Sequence, residues 1–445
     1  MKKLLFVLSA IVAGIMMLSC SSPTDIEEGE EQKGKEQEVK DDPDNVVYML
    51  PESSSVNLTA AQRQFASDNN GFTLKFLKAV NEADNSGKSF IYSPLSITYV
   101  LGMVNDAATG STEQELEQTL GFHQGGIKAV NDYCKNLIDN LPKVDENVLL
   151  NIANAIFVSN KYQLKSQFKN DMLTYYNAKA ETLNFSSPST LNYINSWCSE
   201  KTQGMIPAIL DQVNPDALSY LLNAIYFKAN WTSKFDPKNT KVETFITKNG
   251  EKSIPLMHQR VMTSYVKNDT YAAVTLPYGS GSWNMTIMLP EKEKSVDDII
   301  SLLAETGWST DYWNNPLTEA RSYEVDLKLP RFETFSDTNE MEGELKGILQ
   351  KMGIRLAFDS DYATIPNMIE NTSAYISKIR QKAKIEVDEE GSKMAAVTIA
   401  EMEATSVGPI EEILKADFHA NSPFVYIVRE ASSGVILFVG KFTGE

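Results

Sequence analysis

The runs "YAAVTLPY" (Tyr271–Tyr278) and "WNMTIMLP" (Trp283–Pro290) are rich in β-branched and aromatic side chains and are separated only by Gly-Ser-Gly-Ser. A gap that short cannot hold the crossover a parallel pair needs, so the two runs must close as an antiparallel hairpin. The same linker is not a nucleophile elbow, because its spacing is wrong and it joins strand to strand rather than strand to helix.

Further strand-like runs are "VLLNIANAIFV" from Val148, "LSYLLNAIYFKAN" from Leu218, "VETFIT" from Val242, "EVDLKLPRF" from Glu324, and the closing pair "PFVYIVRE" and "GVILFVGKF" joined by "ASS". Helical spacing appears in "TLKFLKAVNEAD" (Thr73–Asp84), "STEQELEQTLGF" (Ser111–Phe122) and "EGELKGILQKMG" (Glu342–Gly353). The "STEQ" start predicts Ser111 or Thr112 as a cap, with acids in the first turn. Helices lie mostly early and antiparallel strands mostly late, so the class is α+β.

The chain opens with "MKKLLFVLSAIVAGIMMLSC", two lysines before an apolar run that ends at Ser19-Cys20. This is the layout of a secretory signal over residues 1–19. Small or apolar residues immediately before Cys20 resemble a bacterial lipobox, in which that cysteine carries acyl chains and anchors the protein to a membrane. Residues 20–45 contain no aromatic side chain, and between Thr24 and Asp44 hold ten acids and three lysines. They cannot bury enough apolar surface to order themselves, and are expected to form an extended tether. Acidic residues soon after the lipidated cysteine are associated, in the Bacteroidetes lipoproteins this start resembles, with transfer to the cell surface. The expected location is therefore the outer membrane and the cell surface.

Of the net charge of −18, the leader contributes +2 and the tether −7, leaving −13 for the body at 46–445. Its lysines and arginines are scattered, so neither a nucleic-acid footprint nor a basic membrane-binding face is indicated. About 400 residues suffice for one large core. Cys134 and Cys198 sit in helix-like patterns and read as lone buried thiols. No CxxC or HxxxH spacing points to a metal, no cofactor motif occurs, and none of His123, His258 and His419 adjoins a nucleophile motif. An enzyme is not expected.

The segment "DEEGSKMAAVTIAEMEATSVGP" (Asp388–Pro409) fits neither helix nor ordinary strand. From Ser392 the even positions Ser392, Met394, Ala396, Thr398, Ala400, Met402 and Ala404 are uncharged, while Lys393, Glu401 and Glu403 all fall on the odd side. That is the pattern of a strand with one buried face. Helical spacing leaves Met394, Ile399 and Met402 scattered around the axis, so no clean apolar stripe results.

"FIYSPLSITYVLGMVNDAATGSTEQELEQTLGF" (Phe90–Phe122), "LLNAIYFKANWTSKFDPKNTKVETF" (Leu221–Phe245), "MTIMLPE", "VDLKLPRF", "LQKMGIRLAF" and "FHANSPFVYIVREASSGVILFVGKF" (Phe418–Phe442) together resemble the serpin family from about Asn70 to the end. The resemblance implies about nine helices around a large central sheet with smaller sheets beside it, and an exposed reactive loop at about 389–414. It also implies a monomeric inhibitor whose partners are serine or cysteine proteases. The loop is cut, holds the protease as an acyl-enzyme and inserts into the sheet, as serpins do.

Glu389, Glu390, Gly391, Ser392, Lys393, Met394, Ala395 and Ala396 match the family's hinge, with Gly391 read as a flexible joint. Inhibitory relatives usually have Glu at Lys393 and Ala at Met394. Lys393 faces outward on the alternation, whereas Met394 must be buried, so inhibition is expected with a larger fraction of loop cleaved as mere substrate. Counting from Glu389 places the reactive bond at Thr405–Ser406. Counting back from "FHANSPF" places it between Pro409 and Glu412, so the loop is longer than in those relatives. No Lys or Arg occurs from Met394 to Leu414, which suits elastase-, subtilisin- or papain-like proteases.

Ser93, Ser96 and Asn223 match a polar cluster where the sheet opens, with Gln381 where the family commonly has His. Trp231 matches the aromatic at the top of the sheet, and Arg331 with Glu389 matches a salt-bridge pair at the point of loop entry, where an exposed pair is worth roughly 0–1 kcal/mol. A non-inhibitory serpin acting as a binding module is the alternative, favoured by Lys393, Met394 and the loop length.

Overall fold

The computed structural model describes residues 55–307, 321–338, 344–377, 379–392 and 413–445. The leader, Cys20, the tether, and the loop residues Lys393, Met394, Ala395, Ala396, Thr405 and Ser406 lie outside the described residues.

Fifteen strands and eight α-helices are described. The predicted hairpin is present: β7 (Tyr271–Tyr278) pairs antiparallel with β8 (Trp283–Pro290), closing at Tyr278↔Trp283. It lies inside a nine-stranded sheet. β1 (Phe90–Tyr92), β15 (Ile436–Phe442), β14 (Phe424–Glu430), β8, β7, β6 (Gly250–Lys267), β9 (Arg321–Pro330) and β13 (Lys415–His419) follow in order, with β5 (Lys241–Thr247) also on β6. β14 and β15 are buried at every residue, which is why they read as continuous apolar runs rather than alternating ones.

A second sheet orders β12 (Gly391–Ser392), β4 (Ser219–Asn230), β2 (Val148–Ser159) and β3 (Lys179–Leu183). β10 (Phe332–Asp337) and β11 (Lys382–Val387) form a separate antiparallel pair. Among the described residues, β4 is not paired with β11.

Behind the sheets runs α2 (Pro94–Ala107), buried at every residue but Asp106. An apolar helix covered on all sides makes the floor of the core. Around it stand α1 (Ala60–Ala83), α3 (Gly110–Leu120), α4 (Gly126–Asn140) and α5 (Ser166–Tyr176), with α7 (Val296–Thr306) and α8 (Glu344–Met352) later in the chain, whereas α6 (Pro188–Lys201) packs Ile194, Trp197 and Cys198 against Phe157 and Leu222 in a second, smaller core. Cys134 in α4 and Cys198 in α6 are free and buried.

Two helix starts differ from expectation. α3 begins at Gly110, and its cap position Thr109 makes no side-chain cap bond. Thr112 is drawn off to a tertiary contact instead, its Oγ1 accepting the Thr364 N–H at 3.0 Å. α1 begins thirteen residues before Thr73, where Thr59 and Gln62 form a reciprocal capping box.

Candidate functional site

β11 alternates, with Ala383, Ile385 and Val387 inward, and then the chain turns sharply back. Asp388 and Gly391 are bridged through Asp388 N–H to Gly391 O at 3.0 Å and Gly391 N–H to Asp388 O at 3.2 Å. The Asp388 carboxylate stabilises the turn by accepting the N–H groups of Glu390 and Gly391 at 3.0 and 3.2 Å. Gly391 and Ser392 then pair antiparallel with Asn230 and Ala229 at the end of β4. The first two residues after the turn thus already form a short strand against β4.

Gly391 has φ 142°, and a Cβ there would stand 2.2 Å from the Ala229 carbonyl oxygen and 2.5 Å from Asn230 Cα. Glycine is needed here because the backbones approach too closely, at a positive φ, for any side chain. Ser392 is buried, and its Oγ lies 3.0 Å from Tyr278 Oη. Tyr278 stacks on Trp231 at 4.3 Å between ring centroids, and Trp231 Nε1 donates to the Asp388 carbonyl at 3.0 Å. The Trp231 N–H also donates to Glu390 O and the Phe235 N–H to Glu389 O, so one aromatic platform holds the whole turn.

Arg331 meets Glu389, but the pair is not an exposed one. The Glu389 side chain is only 6% exposed against 49% for Arg331. Arg331 Nε donates to Glu389 Oε2 at 3.1 Å, its Nη2 to Oε1, and Thr240 Oγ1 to Oε1 as well. Burial pushes the Glu389 carboxyl up, but the Arg331 and Thr240 hydrogen bonds outweigh it and hold the group below its ordinary range. Lys234 pairs with Glu390 at 2.5 Å on the exposed side of the turn.

Ser93, Ser96, Asn223 and Gln381 are brought together around the start of α2. Ser93 caps α2, its Oγ accepting the Ser96 N–H at 3.3 Å. Gln381 clasps the Ser93 backbone twice: its Oε1 accepts the Ser93 N–H at 3.0 Å and its Nε2 donates to the Ser93 carbonyl at 2.7 Å. On the other flank Ser96 Oγ donates to Asn223 Oδ1, and Asn223 Nδ2 donates to Asn154 Oδ1 at 2.8 Å. Gln381 immediately precedes β11 and Asn223 lies on β4. The two halves of the sheet, joined at the far end of β4 by the turn 388–391, are thus also tied here to one helix.

Between these halves are two clefts. One of about 340 Å³ is lined by Val100, Leu218, Leu221, Met368 and Ile379, and one of about 300 Å³ by Tyr220, Leu222, Asp211 and Arg380. Tyr278, Thr240 and Asn154 complete the site, and sequence reading did not single them out. Tyr278 and Asn154 lie inside strands and Thr240 in the connection just before β5, with nothing local to mark them.

The family model described as "Serpin (serine protease inhibitor)" matches residues 67–444. Serpin B6 of Bos taurus is 32% identical over 385 residues, covering 84% of this chain and 97% of that relative. The leukocyte elastase inhibitor of Sus scrofa is 30% identical over 392 residues, covering 85% and 99%. Among solved structures, the thermophilic serpin tengpin in its native state superposes with a TM-score of 0.74 at 25% identity, covering 88% of this chain and 96% of that one.

Proposed function

Because the chain belongs to the serpin family, whose members are generally protease inhibitors rather than enzymes, we propose that it traps serine or cysteine proteases of small or apolar specificity. The protease nucleophile attacks the Thr405 carbonyl, the bond to Ser406 breaks with its nitrogen leaving as an amine, and the acyl-enzyme is held. The freed loop then adds as a strand between β4 and β11.

The pairing of Gly391 and Ser392 with β4 carries this reading. It starts a strand on the edge that β11 leaves open, and the sequence that follows keeps its charged residues to alternate positions, as a strand with one buried face requires. The absence of Lys and Arg from Met394 to Leu414 supports elastase-, subtilisin- or papain-like targets over trypsin-like ones. The leader and Cys20 support an exported protein, lipid-anchored at the outer membrane with its body at the cell surface.

The test is to mix the protein with an elastase-like, a subtilisin-like and a papain-like protease and resolve the products in SDS. An SDS-stable complex with the serine proteases is expected. Cleaved loop without complex across the panel overturns inhibition and favours the binding-module reading, to which Lys393 and Met394 lend support.

A further inference from the structure

Two of the chain's three histidines face one carboxylate. Asp326 lies on β9, with Arg260 opposite it on β6 and Asp417 opposite it on β13. His258 and His419 flank the next same-face residue, Lys328, from those same two strands. Paired residues and their i+2 neighbours share a sheet face, so all these side chains project together. His258 Nε2 stands 2.8 Å from Asp326 Oδ1 and His419 Nε2 stands 2.8 Å from Oδ2. Ligand atoms of His419, Asp326 and Asp417 all lie within 4.8 Å of one another.

We propose that His419, Asp326 and Asp417, with His258 on the far side of Asp326, form a binding site for a zinc-class divalent ion. Imidazole nitrogens combined with carboxylate oxygens suit zinc and its late transition-metal neighbours, whereas calcium and magnesium prefer all-oxygen sets. Bonds of about 2.0–2.2 Å require ligand atoms roughly 3.3 Å apart, a contraction that side-chain rotation supplies at partly exposed positions.

The two nearby cations do not block the site. Lys328 Nζ is engaged with Glu243 at 2.7 Å, and Arg260, 71% exposed, only grazes Asp326 at 3.5 Å. Local sequence spacing cannot announce such a site, because its ligands come from three strands.

The ion would join β13 to β9, which are paired over only five residues directly after the loop. Its binding therefore bears on how firmly the returning strand is held.

Titration of the full chain with zinc alone, by calorimetry at pH 7.5, is expected to show a site that His419→Ala or Asp326→Asn weakens at least about tenfold. His123→Ala is expected to leave that site unchanged. In the unsubstituted protein, zinc but not magnesium is expected to slow amide exchange across Lys415–His419 several-fold. No zinc binding, equal affinity in His419→Ala and the unsubstituted chain, or binding that leaves β13 exchange unchanged each overturns the proposal.

Discussion

The backbone of Gly391 lies against β4 so closely that a Cβ on it would stand 2.2 Å from the carbonyl oxygen of Ala229. Gly391→Ala is thus expected to lose the β12 pairing and to destabilise the protein by roughly 1–3 kcal/mol. Urea unfolding measures this directly. An unchanged midpoint would show that the turn does not need glycine.

Glu389 is held below its ordinary range by Arg331 and Thr240. Its contribution to stability is complete above the unfolded value of about 4.3 and is lost as pH falls through the lower folded value. Glu389→Gln should flatten the acid limb of a stability–pH curve. Arg331→Ala, which strands a buried carboxylate, should cost roughly 1–3 kcal/mol at pH 7. A variant curve parallel to that of the parent down to pH 3 would refute the linkage.

Burial pushes the Asp106 carboxyl up to about 6, against an opposing hydrogen bond from Asn131 Nδ2 at 2.6 Å. A raised carboxyl favours the fold most when protonated, so its contribution is complete below about pH 3.9 and declines as pH rises through 6. Asp106→Asn is expected to gain roughly 1–3 kcal/mol at pH 7. Thermal unfolding at pH 4.5 and 7 checks this, and equal Tm changes at both would contradict it.

Gln381→His is expected to introduce a pH response that Gln cannot give. A neutral imidazole in so buried a place resists protonation, so the variant should lose stability as pH falls below about 6.5. Denaturation of both proteins at pH 5 and 8 would reveal it. Identical pH dependence would mean the site admits water freely.

Thr405→Arg is expected to create trypsin inhibition, read as an SDS-stable complex. Rapid cleavage without trapping would show that either the bond assignment or the trapping mechanism is wrong.

What sequence alone reveals follows from how local each cause is. The β7–β8 hairpin was legible because four Gly-Ser residues leave the chain no other course, and β14 and β15 because both faces are buried. The Thr59–Gln62 capping box was equally present in "TAAQ" but went unread, since the following turns are too polar to show an apolar stripe. Ser111 and Thr112 were misread as caps because Thr112 is claimed by Thr364, far away in the chain. The partnerships of Glu389 with Arg331 and of Gln381 with Ser93 came only through family likeness. The burial of Glu389 and the tight approach of Gly391 depend on Thr240 and Ala229, which no local pattern brings near.

The clasp between Gln381 and Ser93 runs through the backbone of residue 93, not its side chain. Genetic drift should therefore treat its two ends differently. Position 93 can change to any residue that still caps the helix without loosening the clasp. Position 381 is confined to side chains that offer a donor and an acceptor at once. A library randomised at both positions and selected for folded protein should come back diverse at one and nearly uniform at the other.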